Sequence, residues 1–172
     1  VDDPGQLKGA VQGLSDAAQE IGVPVVFFAH PRTLKRLEQF KLLDWARALP
    51  GVQTHEAVRY RDFQAALRGA VMLFTDSGGA QQEACIHKIP CVAVKDVSEW
   101  PETVRIGANR MAGTDPARIA ACAREAANSG RDWDIPFGDG TAASQITDLL
   151  AKALNETPTL SDLPVQTVSA AG

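Results

Sequence analysis

The sequence has no apolar run approaching the roughly 20 residues that a membrane-spanning helix needs. Its opening residues, Val1-Asp2-Asp3-Pro4, lack the basic and apolar regions of a secretory leader. Cysteine is scarce: Cys85, Cys91 and Cys122 form an odd set without CxxC spacing or a histidine cluster. That argues against a disulfide frame and against a zinc site, and the thiols are expected as small buried apolar groups. Positive charge is not in excess either. With 17 Lys and Arg against 21 Asp and Glu, the net charge is -4, which removes the support for a general nucleic-acid or membrane-surface role. Any anion site must therefore be local, and a cytoplasmic setting is expected.

What is present is a chain of 172 residues, 45% apolar and 22% charged, long enough to bury a core as one soluble domain. Its first residue is not Met and a helical rhythm starts almost at once, so the chain is expected to begin inside a longer gene product. Leu7, Val11, Leu14, Ala18 and Ile21 recur in steps of four and three, one face of a helix stopped near Gly22 and Pro24. Val25-Val26-Phe27-Phe28-Ala29 is the short run expected of a parallel strand covered on both faces. Pro31 suits the first position of a second helix.

The alternation continues with a weak strand near Val52 to His55 and a helix from Tyr60 through Leu67. A strong strand follows at Val71 to Thr75, then a helix from the glycines at 78 and 79 to Ile86, closed by His87 and Lys88. Strands at Cys91 to Val94 and near Arg110 to Ala112 come next. A helix is capped by Asp115-Pro116, and a last helix starts near Thr141 with Ile146, Leu149 and Leu150 inward. Strands alternating with helices predict an α/β, Rossmann-like doubly wound parallel sheet over residues 1–154. From 155 to 172 the chain turns to Thr, Pro, Ser and small residues, and reads as a mobile tail.

Thr75-Asp76-Ser77-Gly78-Gly79-Ala80-Gln81-Gln82-Glu83 follows the strongest strand and opens a helix, the place where such sheets bind ligands. Two glycines admit close approach, and free N–H groups at the positive end of a helix dipole favour phosphate. The same string also suits a plain turn with Ser77 as cap. Glu83 stands about one turn further, where a carboxylate can accept from a ribose diol; a solvated glutamate is the alternative. Asp76 reads as a turn residue. His30-Pro31-Arg32 falls at another strand end, with His30 either reaching a ligand or bonded locally. Lys35, Arg36 and Lys41 read as a solvated helix face, and Gly138-Asp139-Gly140 as a turn and cap.

Five strings carry a likeness in their order and spacing. They are VDDP at the start, AHPRT at 29 to 33, FTDSGGAQQEA at 74 to 84, SEWPETVRIGANRMAGTDP at 98 to 116, and PFGDGTAASQI at 136 to 146. Together they resemble the non-hydrolysing UDP-N-acetylglucosamine 2-epimerases. The resemblance implies the C-terminal half of a two-domain enzyme with the GT-B arrangement, a homodimer at full length, needing neither nicotinamide nor metal. Such enzymes interconvert UDP-GlcNAc and UDP-ManNAc by eliminating UDP and returning it after carbon 2 is inverted, and they feed polysaccharide biosynthesis. Their acids and bases lie mainly in the N-terminal domain and just before the VDDP-like string, so no catalytic residue is expected in this chain.

What the resemblance carries over is UDP handling. Ser77, Gly78 and Gly79 match the diphosphate turn, Glu83 the ribose carboxylate, His30 a histidine beside the nucleotide, and Phe63 an aromatic near the uracil, whose edge meets the backbone at Val58. Three positions depart from the pattern. Gln82 replaces a glutamate, Trp100 stands where an arginine is usual and offers packing or a stacking surface instead, and Arg59 lies in a loop that is usually small or polar. Two other readings share these features: the nucleotide half of a GT-B glycosyltransferase, and a non-catalytic module that binds UDP-sugars.

Overall fold

In the computed structural model, residues 2–156 are described. The tail expected over 155–172 lies outside them from residue 157 onward. The chain divides into two compact units, Val1–Pro136 and Phe137–Gly172.

In the first unit α1 (Pro4–Ile21) is started by Asp3, whose carboxylate accepts from the Gln6 N–H, and by Pro4 in the first turn. Strand β1 (Val25–Ala29), α2 (Pro31–Gln39), α3 (Leu43–Arg47) and β2 (Val52–Glu56) follow. Then come α4 (Tyr60–Arg68), β3 (Leu73–Thr75), α5 (Gly78–Ile86), β4 (Cys91–Ala93), α6 (Pro101–Arg105), β5 (Asn109–Met111) and α7 (Pro116–Asn128). The expected elements are present, with β3 shortened to three residues. Two five-residue helices, α3 and α6, had no signal in the sequence, because one turn and a half is too short to display a period.

Every pairing is parallel, and the class is α/β as expected. The strands form two ladders, β1-β2 and β3-β4-β5. Phe27 and Phe28 of β1 and Leu73 and Phe74 of β3 line a cavity of ≈ 630 Å³ instead of sharing a ladder. Strand β4, flanked on both edges, is wholly buried, as its unbroken Cys91-Val92-Ala93 run predicts.

Helix α1 serves both ladders. Its Leu7 and Val11 pack with Leu37 and Ala46, while its Ala17 joins Met72, Val92, Ile119 and Ala123. The approach of α1 to α7 is close enough that a Cβ on Gly13 would come within 2.6 Å of Ile119 Cδ1. A third cluster, Leu67, Ala84, Ile89 and Cys91 with Phe63 packed against it, holds α4 to α5. Cys85 and Cys91 are buried and Cys122 half-buried, and burial pushes the Cys91 thiol up to about 12.

In the second unit Asp139 accepts hydrogen bonds from the Thr141 hydroxyl and N–H, which lower its pKa and fix the turn that precedes α8 (Ala142–Glu156). Ile146, Leu149 and Leu150, read from the sequence as inward, are exposed. The helical period was legible; what covers the stripe is a tertiary matter. Among the described residues no helix is long and apolar enough to cross a membrane.

Candidate functional site

The parallel ladder β3-β4-β5 aligns the ends of its strands, and their continuations form one cluster. The Val94 N–H donates to the Thr75 carbonyl, Ala112 to Ala93, and Gly113 to Lys95. The Ser77 turn and the segment after β4 are thereby placed side by side.

Ser77 is the N-cap of α5, its hydroxyl accepting from the Ala80 N–H at 3.4 Å and its carbonyl from Gln81. The capping reading is therefore correct for this residue, and it leaves the next two donors open. Among the described residues no acceptor lies on the N–H groups of Gly78 and Gly79, the first two positions of the helix. Such donors at the positive end of a nine-residue helix suit an anion.

Lys95 supplies a cation at the same turn. Its ammonium donates to the Asp76 carbonyl at 2.9 Å and to both Glu99 oxygens at 2.5 and 2.6 Å, and these bonds hold Glu99 below the usual carboxylate range. A Cβ on Gly78 would sit 3.2 Å from Glu99 Oε2 and 3.3 Å from Trp100 Nε1. The Trp100 indole donates to the Gly78 carbonyl at 3.0 Å, so this side chain braces the turn. Its own backbone is tied in turn: the Trp100 N–H donates to Ser98 Oγ, which bonds Gln81, and buried Asn109 donates to Gln81 Oε1 at 2.7 Å.

Glu83 lies on α5, facing α4. Its Oε2 accepts from Gln64 Nε2 at 2.7 Å, Gln64 Oε1 meets His87 Nε2 at 2.9 Å, and the charge of Glu83 raises the pKa of the exposed Tyr60 phenol. Phe63 neighbours this group through the cluster that joins α4 to α5, and it also borders the ≈ 630 Å³ cavity. That cavity is mainly apolar in its lining and does not include Ser77, Gly78, Gly79 or Glu83.

His30 is placed differently. It is the N-cap of α2, its Nδ1 accepting from the Arg32 N–H at 3.2 Å, which leaves Nε2 for another partner. No contact joins His30 to the Ser77 or Glu83 groups among the described residues. Arg32 and Arg36 are turned to Asp2 in exposed ion pairs, so Arg36 is not merely solvated. Asp76 offers its carbonyl to Lys95 and borders the ≈ 630 Å³ cavity.

Sequence reasoning missed Tyr60, Gln64, His87 and Lys95. Two helical-spacing pairs were visible, Tyr60 with Gln64 and Glu83 with His87, four apart in each case. The meeting of the two pairs spans 19 residues and depends on how α4 packs against α5. Among the described residues no group of acids, cysteines and histidines is arranged to hold a metal ion.

A parallel α/β fold with an open glycine turn at a strand end and a cation beside it defines a Rossmann-like domain whose helix start has the donors an anion would need. The chain belongs to the UDP-N-acetylglucosamine 2-epimerase family, whose family model matches residues 1–151. It is 36% identical over 150 residues to the UDP-N-acetylglucosamine 2-epimerase of Methanocaldococcus jannaschii, covering 87% of this chain and 41% of that protein. It is 35% identical over 153 residues to the UDP-2,3-diacetamido-2,3-dideoxy-D-glucuronate 2-epimerase of Pseudomonas aeruginosa, covering 88% and 41%. A crystal structure of the M. jannaschii UDP-GlcNAc 2-epimerase in complex with UDP-GlcNAc and UDP aligns with TM-score 0.83 at 36% identity, covering 88% of this chain and 42% of that one. The chain thus spans about two fifths of the length of the relatives it matches.

Proposed function

We propose that this chain is the UDP-holding half of a non-hydrolysing epimerase that interconverts UDP-GlcNAc and UDP-ManNAc, with the acids and bases of the reaction in a preceding domain. The observation that carries this reading is the Ser77 turn, where two open backbone donors and the Lys95 ammonium converge at a helix start. A diphosphate is the anion whose size and charge use all three. Glu83, further along the same helix, takes the ribose hydroxyls. Phe63 and the Val58 backbone lie toward the uracil, His30 offers Nε2, and Trp100 holds the turn in place of a cation. The reaction breaks the bond between the sugar's carbon 1 and the UDP oxygen and removes the proton from carbon 2. UDP then re-adds after a proton is returned to the opposite face.

In this division of labour the present chain keeps the leaving UDP in place between the two steps, and residues 1–154 suffice for that. Alone, it turns over nothing. At full length the enzyme is a homodimer that needs no cofactor. The likeness to an epimerase of a different UDP-sugar supports UDP as the shared part and leaves the sugar to the other half.

Calorimetric titration of the chain with UDP and with ADP tests the proposal. Saturable binding of UDP in preference to ADP is expected. A folded chain that binds both equally, or neither, would sink the nucleotide-holding reading.

A further inference from the structure

We infer that Gln64 is a positioning residue for Glu83, holding the carboxylate so that its remaining lone pairs face a ribose diol. The inference rests on the reading of Glu83 as the ribose-binding group. It concerns how a glutamate on α5 gains a single orientation.

Gln64 reaches across from α4, and its amide is shared between two residues one turn apart on α5. Nε2 donates to Glu83 Oε2 at 2.7 Å, and Oε1 meets His87 Nε2 at 2.9 Å. The direction of this chain is set by chemistry. An ionised carboxylate only accepts, so the amide nitrogen must face Glu83, the amide oxygen must face His87, and His87 Nε2 must carry a hydrogen. All three side chains are partly buried, so the bonds are shielded from competing water more than surface pairs are.

A lone helical glutamate samples several rotamers, and each one frozen on ligand binding weakens affinity. Gln64 removes that freedom beforehand through a charge-assisted bond. One such bond uses one of roughly four acceptor positions on the carboxylate, so a vicinal diol still finds two. Tyr60, whose phenol Glu83 perturbs, borders the same carboxylate from the first turn of α4.

A structural role alone, tying α4 to α5, would show as stability. A positioning role shows as discrimination between UDP and 2′-deoxy-UDP, since only a group acting on the ribose distinguishes them. We would titrate both nucleotides into the chain and into Gln64→Met, His87→Leu and Glu83→Ala. Gln64→Met keeps length and removes the donor; His87→Leu breaks the far end of the chain without touching Glu83.

The unchanged chain is expected to prefer UDP about tenfold, the effect of one hydrogen bond to a charged group. Glu83→Ala abolishes the preference. Gln64→Met cuts it to about threefold or less while 2′-deoxy-UDP affinity stays within about twofold. His87→Leu falls between, and it decides the matter if Gln64→Met fails to fold. Wild-type preference in either folded variant, with the preference lost in Glu83→Ala, overturns the role of Gln64 and leaves the ribose reading standing. An unchanged chain that does not distinguish the two nucleotides overturns both.

Discussion

Two strand-to-helix turns in this chain were candidates for the same task, and they differ in what they leave open. At the end of β1, His30 caps α2, Pro31 removes a backbone donor, and the cations Arg32 and Arg36 are taken up by Asp2. At the end of β3, Ser77 caps α5, two glycines keep their donors, and Lys95 stands beside them, paired with Glu99. A helix dipole is present at both turns. Cations are matched with carboxylates at both turns, so the difference lies in the backbone: a helix start keeps donors for an anion where proline has not deleted them.

The comparison is broken most severely by Gly78→Val. The new side chain begins 3.2 Å from Glu99 Oε2 and 3.3 Å from the Trp100 indole nitrogen, so it shuts the approach to the turn. UDP affinity measured by calorimetry is expected to fall about a hundredfold, the loss of two charge-assisted hydrogen bonds, with the far-ultraviolet circular dichroism unchanged. Retention of affinity would place the anion elsewhere.

Lys95→Met comes next. UDP binding should weaken about tenfold and lose part of its salt dependence, while binding of uridine, which has no phosphate, stays the same. Equal losses for UDP and uridine would mean that Lys95 acts by holding Glu99 and the loop, not on phosphate.

A smaller and sharper contrast sets Ser77→Ala against His30→Asn. Removing the Ser77 cap should cost about 1 kcal/mol in denaturant unfolding, and UDP affinity should drop a few-fold as the hydroxyl donor goes. Asparagine at 30 preserves the cap, so stability stays within about 0.5 kcal/mol, and any loss of UDP binding isolates the contribution of the imidazole Nε2. If His30→Asn binds UDP like the unchanged chain, the β1 turn is structural only.

The smallest effect belongs to Asp2→Asn. Hydrogen bonds from Arg32 and then Arg36 hold the Asp2 carboxyl below its ordinary 3.8. The stability from this pairing is present above that ordinary value and is lost as pH falls through the lowered one. Because the groups are exposed and screened by solvent, the variant should differ only marginally from the unchanged chain at neutral pH. The two unfolding curves should converge in acid. Divergence in acid would contradict the sign.

Much of the fold is legible in the sequence. The four-and-three spacing of Leu7, Val11 and Leu14, the unbroken Cys91-Val92-Ala93 run and the Asp115-Pro116 start each state a local preference that the neighbouring residues suffice to express. The Ser77-Gly78-Gly79 turn was readable for the same reason: the order of cap and glycines is local chemistry.

What the sequence could not announce depends on residues distant along the chain. The division of the strands into two ladders turns on which strand edges meet, and a strand's composition does not name its neighbour. The exposure of Ile146, Leu149 and Leu150 is likewise a property of surroundings, not of helical period. By itself the sequence determined the elements, their parallel α/β alternation and the open glycine turn, because each follows from sterics and hydrogen bonding within a few residues. Only the tertiary structure decided that Lys95 crosses to the Asp76 carbonyl, that Trp100 braces Gly78, and that Gln64 grips Glu83. Those contacts join residues 19 to 22 positions apart, and their partners are set by the packing of α4 on α5 and of β3 beside β4.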